Sequence, residues 1–282
     1  MTLRELIRQT ERRLRAAKLH FGHGTDNARD EAAFLVLRGL GLRFDEDLGK
    51  DADPGRIEPL VEKRIRQRIP AAYLLNEAWL DGLRFYVDRR VIIPRSHIAF
   101  LFNNLRIRPR RILDLCTGSG CLAILAARAF ATAQVEASDI SAAALEVAAR
   151  NVRQHRLARR VRLVRSDLFE KLRGRYDLIV CNPPYVATPS MRKLPREYRY
   201  EPGIALAGGR QGLDYAGRIL EGAPRYLSPG GLLVCEVGEN KAALERAYPR
   251  IPFVWPRPEV FTLSLSRTAG AFRTPPTRRR AR

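Results

Sequence analysis

The sequence is short of acid, of lysine, of cysteine and of long apolar runs. In 282 residues, 30 Asp and Glu stand against 51 Lys and Arg, a formal net charge of +21, and only six of those bases are lysines. Arginine-rich codon usage accounts for arginine in place of lysine, but not for the excess of base over acid. The balance therefore points to a polyanionic neighbour, either nucleic acid or an acidic membrane surface. No run of about 18 apolar residues occurs, so no transmembrane helix is expected. The amino-terminal MTLRELIRQTERRLR has neither an apolar core nor a small-residue cleavage site, so a secretory signal is not expected. The four cysteines, Cys116, Cys121, Cys181 and Cys235, fit neither a disulfide framework nor paired metal knuckles, and read as reduced thiols of a cytoplasmic protein. His20 and His23 lack further ligands at metal spacing, so no metal site is expected.

What is present divides the chain. Residues 1–76 carry helical periodicity. Leu3, Leu6, Ile7, Leu14 and Leu19 fall near one face, Ala32, Phe34, Leu35 and Leu37 repeat the pattern, and Pro54 and Pro70 bracket a third helix. This reads as a helical domain, serving either packing or substrate docking. Residues 77–100 read as a β-hairpin linker, with its turn at Asp88-Arg89 between two apolar runs. Residues 101–268 alternate strands with helices: RILDLC (111–116), QVEASD (134–139), VRLV (161–164), YDLIVCN (176–182) and GLLVCEVG (231–238). Such alternation predicts an α/β fold, a doubly wound, mostly parallel sheet. Residues 269–282 read as a basic, disordered tail. Residues 273–282 hold five arginines and no acid, leaving +16 of the +21 elsewhere.

The first strand runs into Thr117-Gly118-Ser119-Gly120 and then a helix, a turn in which glycine lets the backbone approach a ligand. Asp139 ends the next strand 19 residues past Gly120, where a carboxylate can accept both hydroxyl hydrogens of a ribose. On spacing alone Gly118-x-Gly120-x-x-Ala123 also satisfies a dinucleotide fingerprint, so an NAD-linked oxidoreductase stays open. Two features favour S-adenosylmethionine. Asp114 puts a carboxylate beside the loop, where an ammonium group can sit but a pyrophosphate gains nothing. Ser166-Asp167-Leu168-Phe169 offers an acid for an adenine amino group and apolar side chains for its face. Each acid alone could equally be a helix cap or a solvated loop residue.

Asn182-Pro183-Pro184-Tyr185 ends the fourth strand. A planar amide or aryl amine is a poor nucleophile because its nitrogen lone pair is delocalised. Methylating it requires acceptors that hold the N–H groups. The Asn182 side-chain oxygen and the Pro183 carbonyl can supply them, consecutive prolines fix the backbone, and the Tyr185 ring can lie on the flat group. The gain is positioning and electrostatic preorganisation. A Pro-rich turn is the plainer alternative.

Asp114 to Gly120 followed by Asn182 to Tyr185 resembles the class I S-adenosylmethionine-dependent methyltransferases that act on planar nitrogens. Two groups share this pair: adenine-specific nucleic-acid methyltransferases and protein-glutamine methyltransferases. Similarity to the second covers nearly the whole chain, through RIRQRIPAAYLL (64–75), FYVDRRVIIPRS (85–96) and EPGIALAGGRQGLD (201–214). Cys116 in LDLCTGSGC, Pro94-Arg95-Ser96 and MRKLPREY (191–198) are similar to the branch acting on large-subunit ribosomal protein L three rather than on release factors. The resemblance implies a class I methyltransferase fold, S-adenosylmethionine as cofactor and a ribosomal protein as substrate. It places Asp114, Thr117, Gly118, Ser119, Gly120, Asp139, Ile140, Asp167, Leu168 and Asn182 around the cofactor, and Asn182, Pro183, Pro184 and Tyr185 around the glutamine amide. The chain departs from the family at His97-Ile98-Ala99-Phe100, where Pro-Ile and then an acid are usual, and at FVWPRPEVFTL (253–263), which lacks a glycine before the last strand.

The charge extends the expected partners to ribosomal RNA or a ribosome precursor. The rival functions are an adenine methyltransferase, for which some 80 residues of helices offer little target recognition, an RNA-binding assembly factor on a degenerate fold, and the oxidoreductase. Nothing in the sequence fixes an oligomeric state.

Overall fold

Thr2 opens the first helix with a reciprocal cap: its Oγ1 accepts from Glu5 N (3.3 Å) while its own N–H donates to the Glu5 carboxylate (2.8 Å). In a computed structural model, which describes residues 1–264, this helix is α1 (Leu3–Ala16). Asn27 caps α2 (Ala28–Gly39). Leu3 and Leu6 of α1 bury against Val36 and Leu37 of α2, and against Ile57 and Val61. The short helices α3 (Glu58–Glu62) and α4 (Ala71–Leu75) follow, separated by a π-helical turn, Lys63–Gln67, that ends on Arg68 at φ 60°. The basic tail expected over 269–282, and the last residues assigned to the catalytic domain, lie outside the described residues.

The chain forms two compact units: residues 1–95 with 193–205, and residues 96–192 with the remainder. In the first unit the π turn carries Arg64 into the interior, where its Nε donates to Glu31 (2.6 Å) and its Nη2 to the His20 carbonyl (2.8 Å). Glu197 accepts from His20 N (3.0 Å) and Arg68 (3.1 Å), and Glu201 from Ile93 N (3.0 Å) and Arg95 (2.6 Å). Buried charges persist only when paired in this way. Segment 193–205 is thereby bound into the helical unit, although the sequence places it within the catalytic domain.

The hairpin of this unit corrects the expected turn. Strands β1 (Ala78–Leu80) and β2 (Leu83–Phe85) pair through Asp81-Gly82, with φ of 47° and 72°. A two-residue hairpin turn of this kind needs two consecutive positive φ values, which Asp-Gly supplies readily. Asp88 and Arg89 have neither; Asp88 instead accepts from Arg90 N (3.0 Å) and the Tyr86 hydroxyl (2.9 Å) in a loop.

The second unit begins with α5 (Ala99–Phe102) and continues as β3 (Arg111–Leu115), α6 (Cys121–Ala129), β4 (Gln134–Asp139), α7 (Ala142–Gln154), β5 (Val161–Arg165) and β6 (Tyr176–Cys181). It closes with α8 (Thr188–Met191), α9 (Asp214–Tyr226), β7 (Leu227–Glu236), α10 (Lys241–Ala247), β8 (Val254–Arg257) and β9 (Val260–Ser264). Its seven strands lie in the order β5-β4-β3-β6-β7-β9-β8. The first five in that order are parallel, and β9 and β8 run antiparallel. The chain starts at β3, winds outward to β5, then returns to β6 on the other side of β3. That reversal is a topological switch point, where ligands bind beyond the carboxyl ends of strands. The last hairpin closes without glycine: Arg257 pairs with Val260 across Pro258-Glu259, with positive φ at neither turn residue.

Candidate active site

Register brings the motif loops together. Leu115 pairs with Ser138 and Cys181, and Ser138 with Val164. The loops after β3, β4, β5 and β6 therefore leave the sheet at one edge, and Thr117 to Gly120 emerges beside Asn182.

The β3 loop turns through Cys116, Gly118 and Gly120, at φ 56°, 54° and 80°. Cys116 is a non-glycine residue in the left-handed region, a conformation costing about 1 kcal/mol. A Cβ on Gly120 would stand 3.2 Å from the Ala148 Cβ, so this glycine lets α6 pack closely on α7. A Cβ on Gly118 would meet nothing within 4 Å. Asn151 donates to the Ser119 carbonyl (2.8 Å). Asp114 is fully buried: its Oδ2 accepts from Thr117 Oγ1 (2.6 Å) and Ala123 N (3.0 Å), while its Oδ1 has no hydrogen-bond partner among the described residues. Burial pushes its carboxyl up to about 7 against those two hydrogen bonds, with the Asp139 charge adding to the rise.

Asp139 accepts from Gly118 N and Ser141 N, both at 2.9 Å, and so ties the β3 and β4 loops together. Its carboxyl is raised by burial and held down by those N–H groups. Each oxygen keeps a lone pair for a hydroxyl donor. Next to it Ile140 is 45% exposed, an apolar side chain left open at the strand end. After β5, Asp167 accepts from Arg218 (2.9 Å), a partner that the sequence pattern does not reveal. Leu168 (φ 45°) and Phe169 turn into the core, where Phe169 stacks on Tyr226. Neither Leu168 nor Phe169 therefore offers the open apolar face expected of it; Ile140 does.

Asn182 is half-buried at the end of β6, Pro183 and Pro184 are buried, and Tyr185 is half-buried. The loop is held by residues that sequence reasoning missed. Asn240 donates to the Tyr185 carbonyl (2.8 Å). Gly238 (φ 55°) leaves room for the tyrosine ring, since a Cβ there would lie 2.7 Å from Tyr185 Cε2. Gly208 and Gly212 pass equally close to the Tyr185 backbone. Val186 N donates to the Leu206 carbonyl (2.9 Å) and Gly208 N to the Val186 carbonyl (2.8 Å), closing the excursion that contains 193–205 at its base. The glycines at 208–212 were visible as a motif; Gly238 and Asn240, in a short GEN turn, carried no comparable signal. The departure at 97–100 is absorbed structurally. Ser96 Oγ and His97 N both bond Glu236 (2.7 and 3.0 Å), Ile98 and Ala99 are buried, and the exposed Phe100 ring lies under Arg257.

A sheet of this order, with a glycine turn after its first strand and an acid ending its second, defines the class I S-adenosylmethionine-dependent methyltransferases. The methyltransferase small domain family matches residues 97–194. The ribosomal protein uL3 glutamine methyltransferase of Bordetella pertussis is 53% identical over 268 residues, covering 90% of each chain. That of Neisseria meningitidis serogroup B is 47% identical, covering 90% of this chain and 88% of the relative. Among solved structures, a methyltransferase from Pyrococcus furiosus shares the fold at a TM-score of 0.50 and 20% identity, over 66% of this chain and 90% of that one. The chain belongs to the uL3 glutamine methyltransferase family and is an S-adenosylmethionine-dependent enzyme. Three features of the loops fit that cofactor: the unpartnered Oδ1 of Asp114, the open space at Gly118, and Ile140 exposed beside Asp139.

Proposed function

We propose that the protein transfers a methyl group to the side-chain amide nitrogen of a glutamine in ribosomal protein uL3. The observation that carries this reading is the Asn182–Tyr185 loop, braced by Asn240 and Gly238 beside the β3 loop at the switch point. S-adenosylmethionine supplies an electrophilic methyl group on a sulfonium. Asp114 would meet its ammonium group, Asp139 its ribose hydroxyls, and Ile140 with Asp167 and the Leu168 backbone its adenine, against the turn Thr117-Gly118-Ser119-Gly120. The Asn182 side-chain oxygen and the Pro183 carbonyl accept the two amide N–H bonds, and Tyr185 packs on the amide face with Pro184 behind it. These groups would hold the amide nitrogen with its lone pair turned toward the methyl group that the sulfonium would supply. Solvent then takes the released proton. Positioning and preorganised acceptors are the source of rate.

The helical unit, residues 1–76 followed by the hairpin linker, is assigned to docking of the protein substrate. It holds an apolar cavity of about 320 Å³ lined by Phe34, Phe44, Ala72, Ala78 and Trp79. The net charge of +21 supports contact with ribosomal RNA on a large-subunit precursor in the cytoplasm. No helix among the described residues is long and apolar enough to cross a membrane. The test is mass spectrometry of uL3 and of release factors after incubation with isotope-labelled S-adenosylmethionine. One added methyl group on a uL3 glutamine is expected; label on release factors alone would overturn the substrate.

A further inference from the structure

The sixteen residues from Arg150 to Arg165 contain seven arginines and no aspartate or glutamate. They form the end of α7, the turn after it, and β5, an edge strand of the sheet. Some of these arginines have internal work. Arg160 donates to the Phe130 and Ala133 carbonyls (2.7 and 2.9 Å), Arg162 pairs with Glu136 (3.0 Å), and Arg165 reaches the Ile140 carbonyl (3.3 Å). Arg153, Arg156 and Arg159 do not: all three are exposed, and their guanidinium groups make no hydrogen bond or ion pair with a described residue. Arg128, at the end of α6, joins them through His155 (3.4 Å).

These three arginines precede β5, whereas the cofactor loop follows it. They therefore lie at the opposite end of the strand from Asp167, about 15 Å away at 3.3 Å per residue, and do not belong to the catalytic loops. Charge on an edge strand does discourage edge-to-edge association, but either sign serves that purpose. A run of one sign raises self-repulsion, which an external polyanion would relieve. Among the described residues, the large exposed apolar side chains are Met1, Phe44, Phe100, Ile140, Ile204 and Val254, none of them in this segment. A membrane-surface contact draws on apolar insertion as well as charge, whereas guanidinium forks match phosphate oxygens without it.

We infer that the turn between α7 and β5 is an RNA-backbone contact, in which Arg153, Arg156 and Arg159 engage phosphates and Arg128 flanks them. The inference rests on the proposed ribosomal substrate for the presence of RNA, and its test is separable from that reading. The full chain carrying Arg153→Gln, Arg156→Gln and Arg159→Gln is compared with wild type. A control carries Arg4→Gln, Arg8→Gln and Arg12→Gln on the exposed face of α1, an equal change of charge. The probes are large-subunit ribosomal RNA made in vitro and vesicles of zwitterionic and anionic phospholipid, each titrated across salt.

The α7–β5 variant should bind the RNA at least tenfold more weakly and lose about 2–3 from the slope of log affinity against log salt, since each phosphate contact contributes somewhat under one. The α1 control should lose less than half as much. Both variants should bind S-adenosylmethionine as wild type does, which shows that they fold, and the α7–β5 variant should also methylate isolated uL3 at the wild-type rate. Equal losses in the two variants would overturn the site in favour of diffuse charge, and preference for vesicles over RNA would overturn the partner. Failure of wild type to methylate uL3 would overturn the substrate instead and leave the RNA titration to be read alone.

Discussion

Asp114 is the residue at which burial and function meet most directly. A carboxyl pushed up to about 7 is partly protonated in the free protein near neutrality. Between the ordinary carboxylate range and 7 the folded state holds a proton that the unfolded state has lost. This group therefore makes the ligand-free protein less stable as pH rises through that window, and its contribution is level above it. A cation placed at the unpartnered Oδ1 favours the charged form. S-adenosylmethionine binding near pH 7 should thus release a fraction of a proton, measured by calorimetry in buffers of different ionisation enthalpy. Asp114→Asn should abolish the release and weaken binding by about 1.5–3 kcal/mol, the scale for a hydrogen bond to a charged group. Undiminished proton release in that variant would move the ammonium site elsewhere. Asn182 tests the other half of the site. Asn182→Ala removes one preorganised acceptor and should lower single-turnover methylation by about 10²–10³ with cofactor affinity little changed. An unchanged rate would reduce the Asn182–Tyr185 loop to a turn.

At the level of elements, the loop after β6 is shaped by what packs on it. Gly238→Ala places a Cβ against the Tyr185 ring at a φ of 55°. The ring must shift, so the variant should fold and bind S-adenosylmethionine but raise the apparent KM for the protein substrate at least several-fold, as a steady-state titration would reveal. Asn240→Ala should act in the same direction through loss of the bond to the Tyr185 carbonyl. Neither residue stood out in the sequence, because Tyr185, which both of them hold, lies 53 residues before Gly238 and 55 before Asn240 along the chain. The parallel strands were legible because a strand buried on both faces writes a continuous apolar run, as β6 does and as β3 does apart from Asp114, whereas β4, which carries Glu136 and Ser138, was legible from its place in the strand–helix alternation. The glycine turn after β3 was legible because its φ requirements are local. The hairpin turn was equally local, yet was sought at Asp88-Arg89 because two apolar runs flank it; the Asp81-Gly82 dipeptide held the stronger backbone signal.

For the whole molecule, the least legible feature is segment 193–205, whose place is set by charge pairs across long sequence separations. Glu197 meets Arg64 from 133 residues away, and nothing in the order of residues announces that pairing. Although burial opposes it, the His20 N–H and the guanidinium groups of Arg68 and Arg64 hold the Glu197 carboxyl below its ordinary value. Stability from this group is therefore full above the ordinary carboxylate range and is lost as pH falls through the lowered value. His23 acts in the same sense. It is buried against Tyr198, neither ring nitrogen makes a hydrogen bond with a described residue, and burial lowers it to about 4, against the Glu201 carboxylate 3.9 Å away. Between the ordinary histidine value and 4 the unfolded chain takes a proton that the folded unit refuses, so stability falls as pH drops through that window. His23→Phe keeps a ring against Tyr198 and removes the titration; chemical denaturation at stepped pH should show its acid limb flattened between about 6.5 and 4. Glu197→Ala should instead cost about 3–5 kcal/mol at neutral pH, the scale for leaving a buried charge without its partner. If the loss is below 1 kcal/mol, Arg64 is satisfied by Glu31 and the His20 carbonyl alone, and segment 193–205 is held by packing rather than by charge.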